Sequence, residues 1–389
     1  MKSANLILLD PNTNVNRVYL MTDLGDGTMQ VEFGRMGAAL IKKKYPISFW
    51  DDLLKKQLAQ GYIDRSEEFG LSAKIEEKLE YKPISDETVR KFIDYLLSCS
   101  RKKIQTTYSV SYDQVSEKMI EAAQNLIQKI SETTDIGEMR SCYISLFKVI
   151  PRKMKNVADN LPETVEEGHT KAFDEQSLLN TLKSVKNTSY QKVESDKTIL
   201  DMNGLAVREV TSEELAQIKK YLGSESEALC KRAFRVESIR TENKFRDYIQ
   251  KHNIDKKDIH FFYHGSGNAN YGGIATEGLL LNPKAPITGK MFGYGIYFAP
   301  RAKKSIGYTD LAGSFWRGGH SNKAYLAVFK VAYKNADHTS TCRGYTGIHS
   351  APKGHDAVYA HAGIELRNDE VIVYNESQIT IQYLIELER

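Results

Sequence analysis

The stretch from Asp258 to Tyr308 constrains the fold more than any other part of the chain. It opens as an alternating strand, with Ile259, Phe261 and Tyr263 on one face and His260, Phe262 and His264 on the other. The strand runs directly into His264-Gly265-Ser266-Gly267, whose glycines permit a close ligand approach that a Cβ blocks. Further on, Gly293 and Gly295 precede a second short apolar strand, Ile296-Tyr297-Phe298-Ala299. A helix-like segment follows, on which Lys304 and Tyr308 share a face and Ser305 lies beside them. A strand end bearing His-Gly-Ser, followed by aromatics and hydroxyls on a strand–helix unit, implies a cleft for a flat, polar ligand. Spacing alone goes no further: a strand-end histidine and isolated tyrosines are, by themselves, ordinary structural residues.

These residues resemble the catalytic domain of the poly(ADP-ribose) polymerases. The likeness rests on His264-Gly265-Ser266, on the Gly-x-Gly-Ile-Tyr-Phe-Ala run ending at Ala299, and on Lys304-Ser305. Near the C-terminus, Asn368-Asp369-Glu370-Val371-Ile372-Val373-Tyr374 resembles the family's Glu strand, so that His264, Tyr297 and Glu370 reproduce its His-Tyr-Glu signature. One tripeptide means little, but three motifs in this order and spacing are specific. The resemblance implies NAD+ as substrate. Nicotinamide is a good leaving group on a ribose carbon, and its departure passes through an oxocarbenium-like centre that a nearby carboxylate stabilises.

By that resemblance Glu370 holds the 2′-hydroxyl of the nicotinamide ribose and polarises the incoming acceptor hydroxyl, with Lys304 beside it as counter-charge. His264 takes the adenine-side ribose. The Gly265 backbone bonds the nicotinamide amide and the Ser305 hydroxyl donates to its carbonyl, while Tyr308 and Tyr297 pack on the two sides of the ring. Ser266, Phe298 and Ala299 complete the expected NAD+ contacts. Two positions depart from the DNA-dependent relatives: Leu280 stands where they place an Arg, and Lys290 where they carry a Tyr. The Ala351–Glu365 stretch is also short for the acceptor-side loop.

At 389 residues, 41% apolar and 27% charged, the chain has the composition of a soluble globular protein with two or three domains. No apolar run approaches the roughly 18 residues of a membrane span, and Met1–Asp10 lacks a secretory apolar core, so no membrane partner is expected. Cys99, Cys142, Cys230 and Cys342 are scattered without a C-x-x-C pair, which fits a reducing interior and offers no zinc cluster. A net charge of +4 is too small to argue for nucleic acid by itself.

The fold class expected is α+β and multidomain, in three parts. Residues 1–80 read as a small β-rich module: Arg17–Met21 and Met29–Phe33 are strands around an Asp26-Gly27 turn, and a helix follows through Trp50, Leu53 and Leu58. It resembles the WGR module of the DNA-dependent polymerases, with Phe33 in place of Trp and with Gly34 and Arg35 matching. The resemblance makes Phe33, Gly34, Arg35 and the run Lys42-Lys43-Lys44 the candidate DNA contacts. Residues 1–70 hold nine Lys or Arg and nine Asp or Glu, so any attraction must be local, and the plain reading of the Lys run is a solvated strand edge.

Residues 82–198 read as an all-helical bundle. Ser85 is expected to cap the first helix and Ser111-x-x-Gln114 to open the second. A third ends at Pro151, and a fourth follows a Pro162–Gly168 break with Phe173, Leu178, Leu179, Leu182 and Val185 inward. Its place resembles the family's helical regulatory subdomain; a purely structural bundle is the alternative. Residues 199–389 read as a mainly antiparallel β transferase domain, with a Thr211-x-x-Glu214 helix start and a loop-rich Gly344–Gly363 bordering the cleft.

The glycines after His264 do not form G-x-G-x-x-G, which excludes a dinucleotide-binding doubly wound fold. Asn368, two residues before Glu370, disfavours the toxin-type transferases. His349, His355 and His361 lack acidic or thiol partners in sequence, and no metal is expected. The resulting expectation is an ADP-ribosyltransferase that modifies proteins, itself included, with polymer, activated by DNA ends or nicks. The rivals are mono-transfer and a DNA-end-binding protein without turnover. A eukaryotic host implies the nucleus, a bacterial one the cytoplasm near the nucleoid.

Overall fold

The computed structural model describes residues 2–67, 81–189, 196–281 and 291–389. It divides into two compact units, one of Met1–Lys78 and Lys102–Lys186, the other of Leu79–Arg101 and Asn187–Arg389. Among the described residues no helix is long and apolar enough to cross a membrane.

The first unit begins with β1 (Ser3–Asp10), β2 (Val15–Asp23), β3 (Thr28–Arg35), β4 (Ile41–Pro46), α1 (Trp50–Ala59) and β5 (Ile63–Asp64). The strands form one antiparallel sheet in the order β4-β3-β2-β1-β5. Gly25 and Gly27 bracket the hairpin at φ +74° and +79°, left-handed angles open to glycine. No alternation announces β1, and the packing explains why. Leu6 is buried with Tyr19, Met21 and Trp50, while Ile7 and Leu9 join the helical core, so the strand is covered on both faces and reads as one apolar run.

Next come α2 (Glu87–Thr107), α3 (Glu117–Glu132), α4 (Ile136–Val149) and α5 (Val165–Ser189). Their starts differ from the sequence reading. Asp86, not Ser85, caps α2, its Oδ1 accepting from the N–H of Thr88 at 2.8 Å and Val89 at 3.0 Å. The Ser111–Gln114 box closes only a single tight turn, Tyr112–Gln114; α3 opens after Ser116, whose hydroxyl accepts the Met119 N–H at 3.3 Å. A second Ser five residues on was the better cap because it leads straight into Met119 and Ile120, both buried.

Helix α5 starts inside the expected break and carries Gly168. A Cβ there would come within 1.9 Å of Met139 Sδ, so a side chain-free residue lets α5 close on α4, and Tyr143 Oη donates to Gly168 O at 2.6 Å. Phe173, expected inward, is 46% exposed, and Ala172, Leu178, Leu179, Leu182 and Val185 supply the burial. Between these helices the buried Arg152 forms a bidentate pair with Glu175 and lies over the rings of Tyr108 and Phe147 at 5.3 and 5.0 Å.

Residues of α2 up to Arg101 belong to the second unit, where Phe92 stacks on Phe234 at 3.9 Å. There follow α6 (Ile199–Met202), β6 (Leu205–Glu209), α7 (Ser212–Leu222), β7 (Cys230–Ser238), α8 (Ile239–His252), β8 (Ile259–Gly265), α9 (Tyr271–Glu277), β9 (Ile296–Phe298) and α10 (Ala302–Ile306). The chain ends with β10 (Lys323–Ala332), β11 (Ala336–Thr339), β12 (Ala357–Ala360), β13 (Glu370–Val373) and β14 (Ile379–Glu388). Thr211 and Glu214 form the expected capping box of α7. One sheet runs β6-β7-β14-β10-β8, all antiparallel; the other runs β11-β12-β13-β9 with a single parallel pair, β11–β12. The architecture is mixed α+β, and β12 lies within the stretch expected to be loop. Reciprocal N–H to O bonds between Tyr263 and Ala299, at 3.0 and 2.9 Å, stitch the two sheets together.

Candidate active site

That stitch assembles the site. Residue Tyr263 precedes His264 on β8, Ala299 follows β9, and β9 pairs with β13 through Phe298↔Val371 and Tyr297↔Ile372. Glu370 is the first residue of β13. Three segments distant in sequence therefore meet, and His264, Tyr297 and Glu370 stand on adjacent strand ends.

His264 Nδ1 lies 3.1 Å from Tyr297 O. A carbonyl can only accept, so Nδ1 carries the proton in this contact, which fixes the orientation of the ring. The edges of Phe298 and Phe329 hold the ring's plane at 6.0 and 6.2 Å. Tyr297 is anchored by its hydroxyl, which accepts from Phe292 N and donates to Gly293 O, both at 2.9 Å. Burial raises the Tyr297 phenol pKa, which keeps that donor protonated.

Lys304, on α10, is buried and bonds Glu370 Oε1, with Asn368 O at 3.4 Å. The pair is nearly closed to water, the side chains 8% and 13% exposed. A carboxylate so placed keeps its charge-assisted bond without competing solvent. Burial first, and the Glu370 charge second, raise the pKa of the Tyr308 phenol, which puts that ring within the field of the acid. Helix α10 ends at Ile306, so Tyr308 sits in the turn beyond it and is 41% exposed.

Gly265 explains how α10 comes so near. A Cβ built on it would lie 1.8 Å from Ser305 O and 3.1 Å from Tyr308 Cβ. The strand end and the helix end touch backbone to backbone, which only glycine allows. Ser305 Oγ donates to Tyr263 O at 3.0 Å, so this hydroxyl pins α10 to β8. Ser266 Oγ accepts from Asn270 Nδ2 at 2.9 Å.

Phe298 and Ala299, expected among the NAD+ contacts, both face the protein interior. Phe298 is 2% exposed, turned by strand alternation away from Tyr297 and into the core, and Ala299 commits both backbone groups to Tyr263. Leu280 is exposed and uncharged, and Lys290 lies outside the described residues. The sequence reading missed Trp316, whose ring stacks on Tyr308 at 5.9 Å, because it lies in an aperiodic loop. It also missed Asn268, which links the turn after Ser266 to Lys323 O at 2.9 Å and to Tyr95 Oη at 3.2 Å.

His349, His355 and His361 do not converge. His349 stacks on Tyr294, His355 lies 4.0 Å from Asp337, and His361 pairs with His338 at 2.9 Å. Among the described residues no group of three or more His, Cys, Asp or Glu is arranged to hold a metal. An apolar cavity of about 40 Å³ lies under α2, lined by Phe92, Leu96, Val236 and Thr276, without a titratable side chain. It offers no chemistry.

The candidate DNA contacts behave in two ways. Lys42, Lys43 and Lys44 lie on the edge strand β4, where Lys42 pairs with Glu32 at 3.1 Å, Lys44 with Asp26 at 3.0 Å, and Lys43 sits 5.7 Å over the Phe33 ring. Phe33 is half-buried against Tyr19, and Gly34 passes close to Leu40. Arg35 turns inward within the first unit. It donates to Asn14 O at 2.9 Å, Met154 O at 3.1 Å and Lys155 O at 2.6 Å, tying β3 to the segment after α4.

Comparison with known proteins bears on the second unit above all. Residues 212–315 match the poly(ADP-ribose) polymerase catalytic domain. An uncharacterized protein 101L of Invertebrate iridescent virus 6 is 29% identical over 184 residues, 46% of this chain and 76% of that protein. Poly(ADP-ribose) polymerase 1 of Gallus gallus is 24% identical over 340 residues, 74% of this chain and 32% of its own length. Poly(ADP-ribose) polymerase 2 of Homo sapiens is 32% identical over 165 residues, 34% of this chain and 27% of its own. The chain thus spans about a third or less of the length of these two polymerases.

Proposed function

Because the chain belongs to the poly(ADP-ribose) polymerase family of NAD+ ADP-ribosyltransferases, we propose that it cleaves NAD+ and transfers ADP-ribose to protein. The observation that carries this reading is the meeting of His264, Tyr297, Tyr308 and the buried Lys304–Glu370 pair at one junction of two sheets. The bond between the ribose C1′ and the nicotinamide nitrogen breaks, and nicotinamide leaves with the electron pair. Glu370 holds the 2′-hydroxyl and steadies the cationic sugar; the acceptor oxygen then bonds C1′ while its proton passes to the carboxylate. Tyr308 and Tyr297 flank the nicotinamide, with the Gly265 backbone fixing its amide. His264 orients the adenine-side ribose.

The finer reading is polymer formation switched on by broken DNA, with proteins, this one included, as acceptors. A glutamate at 370 supports elongation, since chain growth needs a sugar hydroxyl to be polarised. The exposed lysines of β4 offer phosphate contacts, and Arg35 joins that sheet to the helical segment that would relay binding. In a eukaryote this places the protein in the nucleus, in a bacterium beside the nucleoid. Labelled NAD+ with and without nicked duplex tests both parts. Ladders that intensify with nicked DNA are expected, with Arg35→Ala removing the stimulation but not the basal rate. Single bands mean mono-transfer, and a rate indifferent to DNA refutes the activation.

A further inference from the structure

Among the described residues assigned to the site so far, none gives the diphosphate of the dinucleotide a counter-charge. Leu280 is uncharged, and Lys304 is committed to Glu370. Three consecutive residues beyond α10 touch three parts of the same site. Phe315 lies 5.8 Å from the guanidinium of Arg367, on the segment leading to Glu370. Trp316 stacks on Tyr308 with the ring planes 14° apart. Arg317 donates from Nε to Asp310 Oδ1 at 2.5 Å, and Asp310 Oδ2 accepts the Asn268 N–H at 2.7 Å.

The contact with Gly267 is the decisive one. A Cβ there would lie 2.2 Å from Arg317 Nη2 and 2.6 Å from Cζ, so the guanidinium fills the space of a side chain at 267. The backbone N–H groups of Trp316 and Arg317 both bond Gly307 O, at 2.9 and 3.1 Å, which fixes the segment to the turn carrying Tyr308. Asp310 holds one edge of the guanidinium, and Nη1 and Nη2 have no hydrogen-bond partner among the described residues. The side chain is 39% exposed.

We propose that Arg317 is a substrate-binding residue that takes the diphosphate of NAD+, and that position 267 is glycine to admit it. The inference rests on the NAD+ reading of the site. In that reading the adenine-side ribose is at His264 and the nicotinamide at Tyr308, with the diphosphate joining the two riboses. Arg317 touches the turn just past His264 and follows the residue stacked on Tyr308, so its segment contacts both ends of the site. A planar guanidinium with one edge anchored presents two parallel N–H donors to phosphate oxygens. Sequence offers no sign of this, because the cation comes from a loop far from the donor loop it serves.

Equilibrium binding of NAD+, ADP-ribose and benzamide to the full chain tests it. Benzamide carries the nicotinamide ring and amide but no phosphate. Arg317→Ala is expected to weaken NAD+ and ADP-ribose about tenfold or more and to leave benzamide within about twofold. Arg317→Lys recovers part of the loss, since it keeps the charge and loses the fork. Should Arg317→Ala fail to fold, Gly267→Ala crowds the same guanidinium and is expected to show the same selectivity. Unchanged NAD+ and ADP-ribose affinity overturns the proposal. So does an equal loss for benzamide, which marks Arg317 as a structural tie acting through Tyr308. A wild type that binds neither NAD+ nor benzamide refutes the NAD+ site itself, a separate result.

Discussion

Gly265→Ala adds a single methyl group at the point where β8 and α10 touch. That carbon would lie 1.8 Å from Ser305 O and 2.8 Å from Ser305 C, both backbone atoms that no rotamer change can move. Ordinary contact begins at 3.4 Å, so the two backbones must part by roughly 1.6 Å. Neither side yields freely. Gly265 is paired with Leu326 in the sheet, and α10 is tied to β8 through Ser305 and to β13 through Lys304. Overpacking of this kind costs about 1–3 kcal/mol, a fall in melting temperature of roughly 2–12 °C. The catalytic effect is larger than the stability effect, because Tyr308 and Lys304 move away from His264 together. A displacement near 1 Å in a positioned site costs about a hundredfold in rate. Nicotinamide release, measured below the melting temperature, is therefore expected to drop about a hundredfold or more. Release within about threefold of wild type would show that the strand end and helix end do not form the site.

Two further outcomes concern the first unit. Gly168→Ala is expected to destabilise it by about 1–3 kcal/mol in urea melts by pressing on Met139, and Met139→Ala in the same chain should cost less than it does alone. Additive losses would contradict close approach of α4 and α5. Arg152→Met leaves Glu175 buried without its cation and is expected to cost about 3–5 kcal/mol near neutral pH. Burial already raises the Glu175 pKa, and losing Arg152, which opposes that rise, raises it further. A carboxyl whose folded pKa exceeds its unfolded 4.5 favours the fold below that value and loses the advantage as pH rises. The variant's penalty should therefore shrink as pH falls from 7 toward 4.5; a constant penalty argues against a buried charge.

How much of this was legible in the sequence depended on whether a signal was local. The alternation of Ile259–His264, the Thr211–Glu214 capping box and the apolar stripe before Pro151 each gave an element within a few residues of its true bounds. β1 was hidden because burial on both faces removes alternation, and α3 was started early because two Ser residues offer similar caps. In the site, His264, Tyr297 and Glu370 were visible as motifs, but their convergence depends on the Tyr263–Ala299 bridge and the pairing of β9 with β13. Nothing local encodes those pairings. Phe298 adjoins Tyr297 in sequence but lies on the opposite face of the strand and is buried, a distinction that the motif itself does not carry. Arg35 bears a motif position yet makes hydrogen bonds inside its own unit, a role visible only in three dimensions.

The proposed role of Glu370, to stabilise the sugar as nicotinamide leaves, is tested most directly by nicotinamide release from NAD+ by the wild type and by Glu370→Gln. Glutamine keeps the size of the side chain and removes its charge. Steady release by the wild type and a loss of about a hundredfold or more in the variant is the expected result. Equal release from the two proteins would contradict the assignment of this site as the catalytic centre.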